Sequence, residues 1–250
     1  MSWLPTRRTI PVAHRGYSRV APENTIAAAR VAIAAGATHI ECDVHGSAEG
    51  TPYVIHDPTV DRTTGQSGIL AEMRNTEIDG LDAGSWKAPV YRGEAVPRLD
   101  AFLAFLGGKG ISLALEIKAP RIEAAVLQAV RETAFPLQKL TLFAFDFDVL
   151  VRARRMEPQL HLTHLVNATV DEAEWAAAVA RAAEHGFSAI GPNEALATER
   201  RVESAHAAGL SVFAWTVDEA ARMKTLADYG VDAIMTNDIE LGVATLNVTG

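Results

Sequence analysis

Short, nearly continuous apolar runs alternate along this chain with longer alanine-rich stretches of amphipathic pattern. The apolar runs predict strands at 9–14, 38–44, 111–118, 139–145, 160–166, 187–191, 210–217 and 232–236. The amphipathic stretches predict helices at 24–35, 121–133, 146–156, 171–184, 195–208 and 218–228. Gly36, Gly186, Gly209 and Gly230 follow four of these stretches, as expected for glycine at a helix C-terminus. About eight strand–helix units in one chain predict an α/β fold closed as a TIM (β/α)8 barrel rather than an open sheet. No repeat of solenoid length is visible.

One segment breaks the rhythm. From 46 to 110 the chain carries turn signals (Glu49-Gly50, Thr64-Gly65, Gly107-Gly108) and little helical periodicity. A crossover helix should follow the strand at 38–44, but a short strand at 53–56 and a polar stretch come instead. The pattern predicts a single barrel domain over 1–250, with 46–110 inserted after the second strand as a small subdomain over the barrel mouth. A loop this long in a compact domain is usually functional, and His56 lies inside it.

Composition narrows the partners. The chain of 250 residues is long enough for one barrel, and 48% hydrophobic residues suffice for its core. A formal net charge of -8 argues against nucleic acid or an anionic membrane as the main partner. Arg15, Arg62 and Lys118 remain as local cations for one small anion. The single cysteine, Cys42, excludes an internal disulfide framework and reads as a small buried hydrophobe. No long apolar run follows the N-terminal arginines. The expectation is a cytoplasmic protein with no signal peptide, spanning helix or stable membrane association.

The chemistry collects at strand ends. His14-Arg15-Gly16, Glu41-Cys42-Asp43, His56-Asp57 and Glu116-Ile117-Lys118 each close an apolar run, and strand ends in a parallel α/β fold share one rim. Glu41 and Asp43 are two apart on one strand and so share a face, as do Glu116 and Lys118 on a later one. If those strands are neighbours, three carboxylates converge. Two unit charges about 4 Å apart repel by roughly 4 kcal/mol at an effective dielectric near 20, and a divalent cation turns that repulsion into binding. Oxygen donors favour Mg²⁺ or Ca²⁺ over Zn²⁺; pairing with arginine or lysine is the alternative use of such carboxylates. His14 and His56 end two different strands, and one base with one acid serves a displacement at phosphorus. Asn24 reads as a helix cap. Trp215 reads as an apolar wall of a small substrate site or as core packing. His45, on the Asp43 face, has no assigned role.

The ordered set carries more than any member. Together with Pro22-Glu23-Asn24-Thr25, Arg62-Thr63-Thr64, Leu81-Asp82-Ala83-Gly84-Ser85-Trp86, Trp215-Thr216-Val217 and Gly230-Val231-Asp232, these motifs resemble the glycerophosphodiester phosphodiesterase family over nearly the whole chain. The likeness is strongest to its short soluble bacterial type. It implies a TIM barrel with an insertion after the second strand. It also implies a divalent metal held by Glu41, Asp43 and Glu116, with His14 and His56 as acid and base. Arg15 and Lys118 would contact the phosphate, and Trp215, with Trp86, would wall the substrate. The implied reaction is metal-dependent hydrolysis of small glycerophosphodiesters, such as glycerophosphocholine and glycerophosphoethanolamine, to an alcohol and glycerol 3-phosphate. Rival readings are a phosphodiesterase for lysophospholipids or phosphoinositides on the same barrel, and a non-catalytic anion-binding barrel. Loss of His14 or His56 would have favoured the latter, and both are present. The chain departs from the family pattern at Ala144, where serine is usual, at Ala48-Glu49, and at Asp218, where asparagine often follows Trp-Thr-Val. These departures bear on substrate preference more than on reaction type.

Overall fold

All but one of the apolar runs form strands shorter than the pattern predicts, the run at 38–44 extending to Gly46. A computed structural model describes residues 8–246. Its strands are β1 (Ile10–Ala13), β2 (His39–Gly46), β3 (Pro52–Val54), β4 (Ser112–Ile117), β5 (Leu140–Ala144), β6 (His161–Val166), β7 (Ala189–Pro192), β8 (Ser211–Ala214) and β9 (Ala233–Thr236). They form one sheet in the order β1-β9-β8-β7-β6-β5-β4-β2-β3, and pairing of β1 with β2 closes all but β3 into a parallel barrel. This is a TIM barrel. β3 runs antiparallel along the far end of β2, with Val54 opposite Val44.

Alternation along each strand divides the apolar residues into two layers. Val12, Ala114, Phe143, Leu165, Phe213 and Met235 plug the barrel interior with neighbouring alanines, Phe143 and Phe213 stacking at 6.0 Å. A larger core lies between the strands and the surrounding helices. Gly36, Gly186, Gly209 and Gly230 all adopt positive φ after their helices, as the pattern requires. Among the described residues no helix is long and apolar enough to cross a membrane.

Three of the differences from the sequence reading bear on the barrel. Residues Leu99–Leu106 form a helix inside the segment read as irregular, and Leu99, Phe102, Leu103 and Leu106 join the main core. This helix is the missing crossover to β4. Its eight residues are mostly apolar, so too few polar positions exist to display a period. The helix read at 195–208 is divided: a tight turn at Glu194–Leu196 precedes a helix at Glu199–Ala207, which the Thr198 side chain caps. A helix at Ile239–Leu246 closes the barrel where none was read. Before Leu99, the inserted residues build a separate small core of Tyr53, Ile55, Val60, Leu70, Ile78, Ala83 and Val96.

The turn after β1 is tight for a reason. Arg15 (φ 58) and Gly16 (φ 80) are both left-handed, and a Cβ on Gly16 would lie 2.7 Å from the Ala28 backbone. Gly16→Ala should therefore destabilise the fold by about 1–3 kcal/mol, read as a lower urea midpoint. An unchanged midpoint would show that the helix starting at Ile26 can retreat without cost.

Candidate active site

β2 and β4 are direct neighbours, in a register that sets Asp43 opposite Glu116. Glu41, Asp43 and Glu116 are all buried, and one carboxylate oxygen of each lies within 4.8 Å of the others. The left-handed Arg15 aims its backbone N–H at Glu41 Oε2, 2.9 Å away. Asn24 fixes Asp43 twice, donating from Nδ2 to Oδ2 at 2.8 Å and accepting the Asp43 N–H at 3.1 Å. Asn24 is therefore not the helix cap. Thr25 fills that position, accepting from Ala28 N–H at 3.1 Å, while the left-handed backbone of Asn24 turns its side chain toward β2.

The three carboxylates are short of positive charge. Lys118 Nζ lies 2.8 Å from Glu116 and 3.4 Å from Asp43, and Arg15 Nε lies 3.2 Å from Asp43. Burial opposes ionisation of Asp43, but Arg15, Lys118 and His56 outweigh it and hold the carboxyl at about 2. Burial, then the Asp43 charge, pushes Glu41 well above the usual range, and the same two causes push Glu116 up to about 7. Asp43 Oδ1 is also buried with no hydrogen bond of good geometry, its one ion-pair contact being Lys118 Nζ at 3.4 Å. A hard, oxygen-ligated divalent cation fits this donor set and its unmet charge.

Each histidine is held through Nδ1. His14, at the end of β1, places Nδ1 2.8 Å from Asn237 Oδ1 and Nε2 3.9 Å from Glu41. Burial, then Arg15, lowers it to about 4 despite the opposing pull of Asp43. His56 follows β3 and sets Nδ1 2.7 Å from Asp57 Oδ1. A carboxylate can only accept, so the hydrogen sits on Nδ1 and Nε2 is left for other partners. Arg62 grips Asp57 at 2.7 Å and Glu23 at 2.8 Å, and Glu23 in turn binds Arg15. An unbroken chain of charges thus runs from the residues after β3 to the three buried carboxylates. His45 now has a place as well: its Nε2 donates to the His56 carbonyl at 3.0 Å and holds that loop. Its position on the Asp43 face was the only signal in the sequence.

A cavity of about 210 Å³ brings the predicted residues together. His14, Arg15, Glu41, His56, Glu116 and Lys118 line it together with Phe143, Phe145, Leu165, Trp215 and Met235. Asp43 is buried beside Glu41 and Glu116. Trp215 donates Nε1–H to the Gly191 carbonyl and meets Phe145 edge-on at 5.5 Å. Phe145 was not singled out by the sequence. Trp86 is 39% exposed and is not among the lining residues, so that expectation is corrected. Ala144 is corrected too. It faces the outer core while Phe143 and Phe145 face the cavity, so a hydroxyl there would not reach substrate.

Comparison with known proteins gives a consistent result. A family model described as the glycerophosphoryl diester phosphodiesterase family matches residues 14–241. A glycerophosphodiester phosphodiesterase of Caldanaerobacter subterraneus is 34% identical, over 93% of this chain and 96% of its own. A crystal structure of glycerophosphodiester phosphodiesterase from Agrobacterium tumefaciens superposes with a TM-score of 0.81 at 35% identity, covering 94% of this chain and 99% of that one. An Oleispira antarctica phosphodiesterase, solved in complex with the product sn-glycerol-3-phosphate, has a TM-score of 0.88 at 27% identity, covering 96% and 97%.

The Glu116 carboxyl, at about 7, stands above its ordinary value of 4.5. Such a group holds its proton more tightly folded than unfolded. Its contribution to stability is complete below the unfolded value and is lost as pH rises through the folded one. In chelator, Glu116→Gln should therefore gain thermal stability relative to the parent between about pH 5 and about pH 8. A difference that shrinks over that interval would contradict the charge balance described.

Proposed function

The chain belongs to the glycerophosphoryl diester phosphodiesterase family, a family of enzymes that hydrolyse glycerophosphodiesters, and on that premise we propose a metal-dependent hydrolase of small glycerophosphodiesters. Glycerophosphocholine and glycerophosphoethanolamine are the expected substrates, with an alcohol and glycerol 3-phosphate as products. One observation carries the reading. Two histidines, two cations, Glu41 and Glu116 line one cavity of about 210 Å³, with Asp43 beside the two carboxylates and apolar side chains completing the lining. That volume suits a glycerophosphoryl unit.

Glu41, Asp43 and Glu116 would hold Mg²⁺ or Ca²⁺, which when bound supplies positive charge to the phosphodiester and to the charge that grows in the transition state. Arg15 and Lys118 bind the phosphate oxygens. His14 and His56 exchange protons at Nε2, one taking the proton of the attacking hydroxyl and the other supplying the leaving alkoxide. Phe145 and Trp215 exclude water from the carbon face of the substrate. Of segment 46–110, the part before Leu99 acts as an inserted subdomain that completes the site with His56, Asp57 and Arg62. Buried, unpaired Cys42 suits the reducing cytoplasm to which this reading assigns the enzyme.

The test is release of glycerol 3-phosphate from glycerophosphocholine. Chelation should abolish it, and added Mg²⁺ or Ca²⁺ should restore it. His14→Ala and His56→Ala should each lower turnover by about 10²–10⁴-fold while metal affinity is kept. Near-normal turnover in both variants on a diester with a poor leaving group would sink the assignment. So would a kcat/KM for a long-chain lysophospholipid about tenfold above that for glycerophosphocholine.

A further inference from the structure

Asp218 follows β8 and is exposed, yet its carboxylate accepts three hydrogen bonds. Oδ1 takes the Thr236 hydroxyl at 2.9 Å and the Asn237 backbone N–H at 2.8 Å, and Oδ2 takes Asn237 Nδ2 at 2.7 Å. A carboxylate has no hydrogen to give, so it fixes which end of the Asn237 amide faces it. Oδ1 of that amide is thereby turned to His14 Nδ1, 2.8 Å away. An amide oxygen can only accept, so His14 carries its hydrogen on Nδ1 and leaves Nε2 open.

We infer that Asp218 is a positioning residue: through the Asn237 amide it sets the tautomer of His14. The inference rests on the reading of His14 as a group that exchanges a proton at Nε2.

The other neighbours do not impose this polarity. Ser18 Oγ lies 2.8 Å from both Asn237 Oδ1 and the His14 carbonyl, two acceptors that compete for its single hydrogen. A reversed amide would satisfy Ser18 fully, since the hydroxyl could then accept from Nδ2 and donate to the carbonyl. Glu41, at 3.9 Å from Nε2, is beyond hydrogen-bond reach. Among the described residues Asp218 alone opposes reversal, because reversal would set an amide oxygen 2.7 Å from its own Oδ2. With the amide reversed, Nδ2–H would point at His14 Nδ1 and drive the ring hydrogen to Nε2. The atom facing the cavity would then have no lone pair to accept a proton.

The experiment is a long-range ¹⁵N–¹H correlation spectrum of histidine-labelled, Mg²⁺-supplied enzyme, read beside steady-state kinetics. Asp218→Asn keeps an oxygen for Thr236 and the Asn237 N–H but sets an amide NH₂ against the Asn237 side chain, so the fold survives and the polarity inverts. In the parent, Nδ1 of His14 should carry the hydrogen. In Asp218→Asn the hydrogen should move to Nε2, and kcat should fall by about 10²-fold or more with KM little changed. The double variant Asp218→Asn/Asn237→Asp returns an oxygen acceptor to His14 Nδ1, so it should restore the parent tautomer and most of the turnover. A His14 that keeps its Nδ1 hydrogen in Asp218→Asn overturns the inference, as does a double variant in which the tautomer is not restored. A switched tautomer with unchanged kcat would instead overturn proton exchange at His14, the premise taken from the proposed function.

Discussion

Burying three carboxylates within 4.8 Å of one another is the constraint around which this barrel mouth is organised. Like charges at such distances repel by several kcal/mol even at an effective dielectric near 20, and burial removes the water that would screen them. The chain answers with fixed partners: Arg15 and Lys118 as counter-charges, the Arg15 N–H on Glu41, and the Asn24 amide on Asp43. These partners determine much of the local backbone. Arg15 and Asn24 both adopt left-handed conformations that aim a donor at β2. Even so the compensation is incomplete, as the raised Glu41 and Glu116 carboxyls record.

The same carboxylates connect the barrel to the inserted segment. Asp43 binds Arg15, Arg15 binds Glu23, Glu23 binds Arg62, Arg62 binds Asp57, and Asp57 orients His56. Arg62 is about half-exposed, and exposed ion pairs contribute about 0–1 kcal/mol each. Stability is thus not what the chain of charges supplies. It positions His56, while the ring of His14 is set by the turn after the neighbouring strand β9. The two histidines line one cavity, and this chain of charges ties His56 to the carboxylates beside it.

The barrel was legible because parallel strands covered on both sides leave short apolar runs between amphipathic helices. The convergence of Glu41, Asp43 and Glu116 was legible from two-residue spacing, which fixes a shared face without knowledge of the fold. What escaped depends on distance in sequence or on competition between neighbours. His14 and Asn237 are 223 positions apart, and no local pattern announces their bond. Asn24 and Thr25 are both good caps side by side, and only the Asp43 contact decides between them. Leu99–Leu106 is too short and too apolar to show a helical period, and Ala144 faces away from a cavity that the motif alone places it beside.

The account stands or falls on the claim that these carboxylates are incomplete without a divalent cation. Calorimetric titration of metal-free protein with Mg²⁺ or Ca²⁺ near neutral pH, in two buffers of different ionisation enthalpy, tests it directly. The account predicts binding at a single site with release of protons, since Glu116 titrates at about 7, and loss of that binding in Glu41→Ala. Undiminished affinity in Glu41→Ala, or binding that releases no protons, would contradict it.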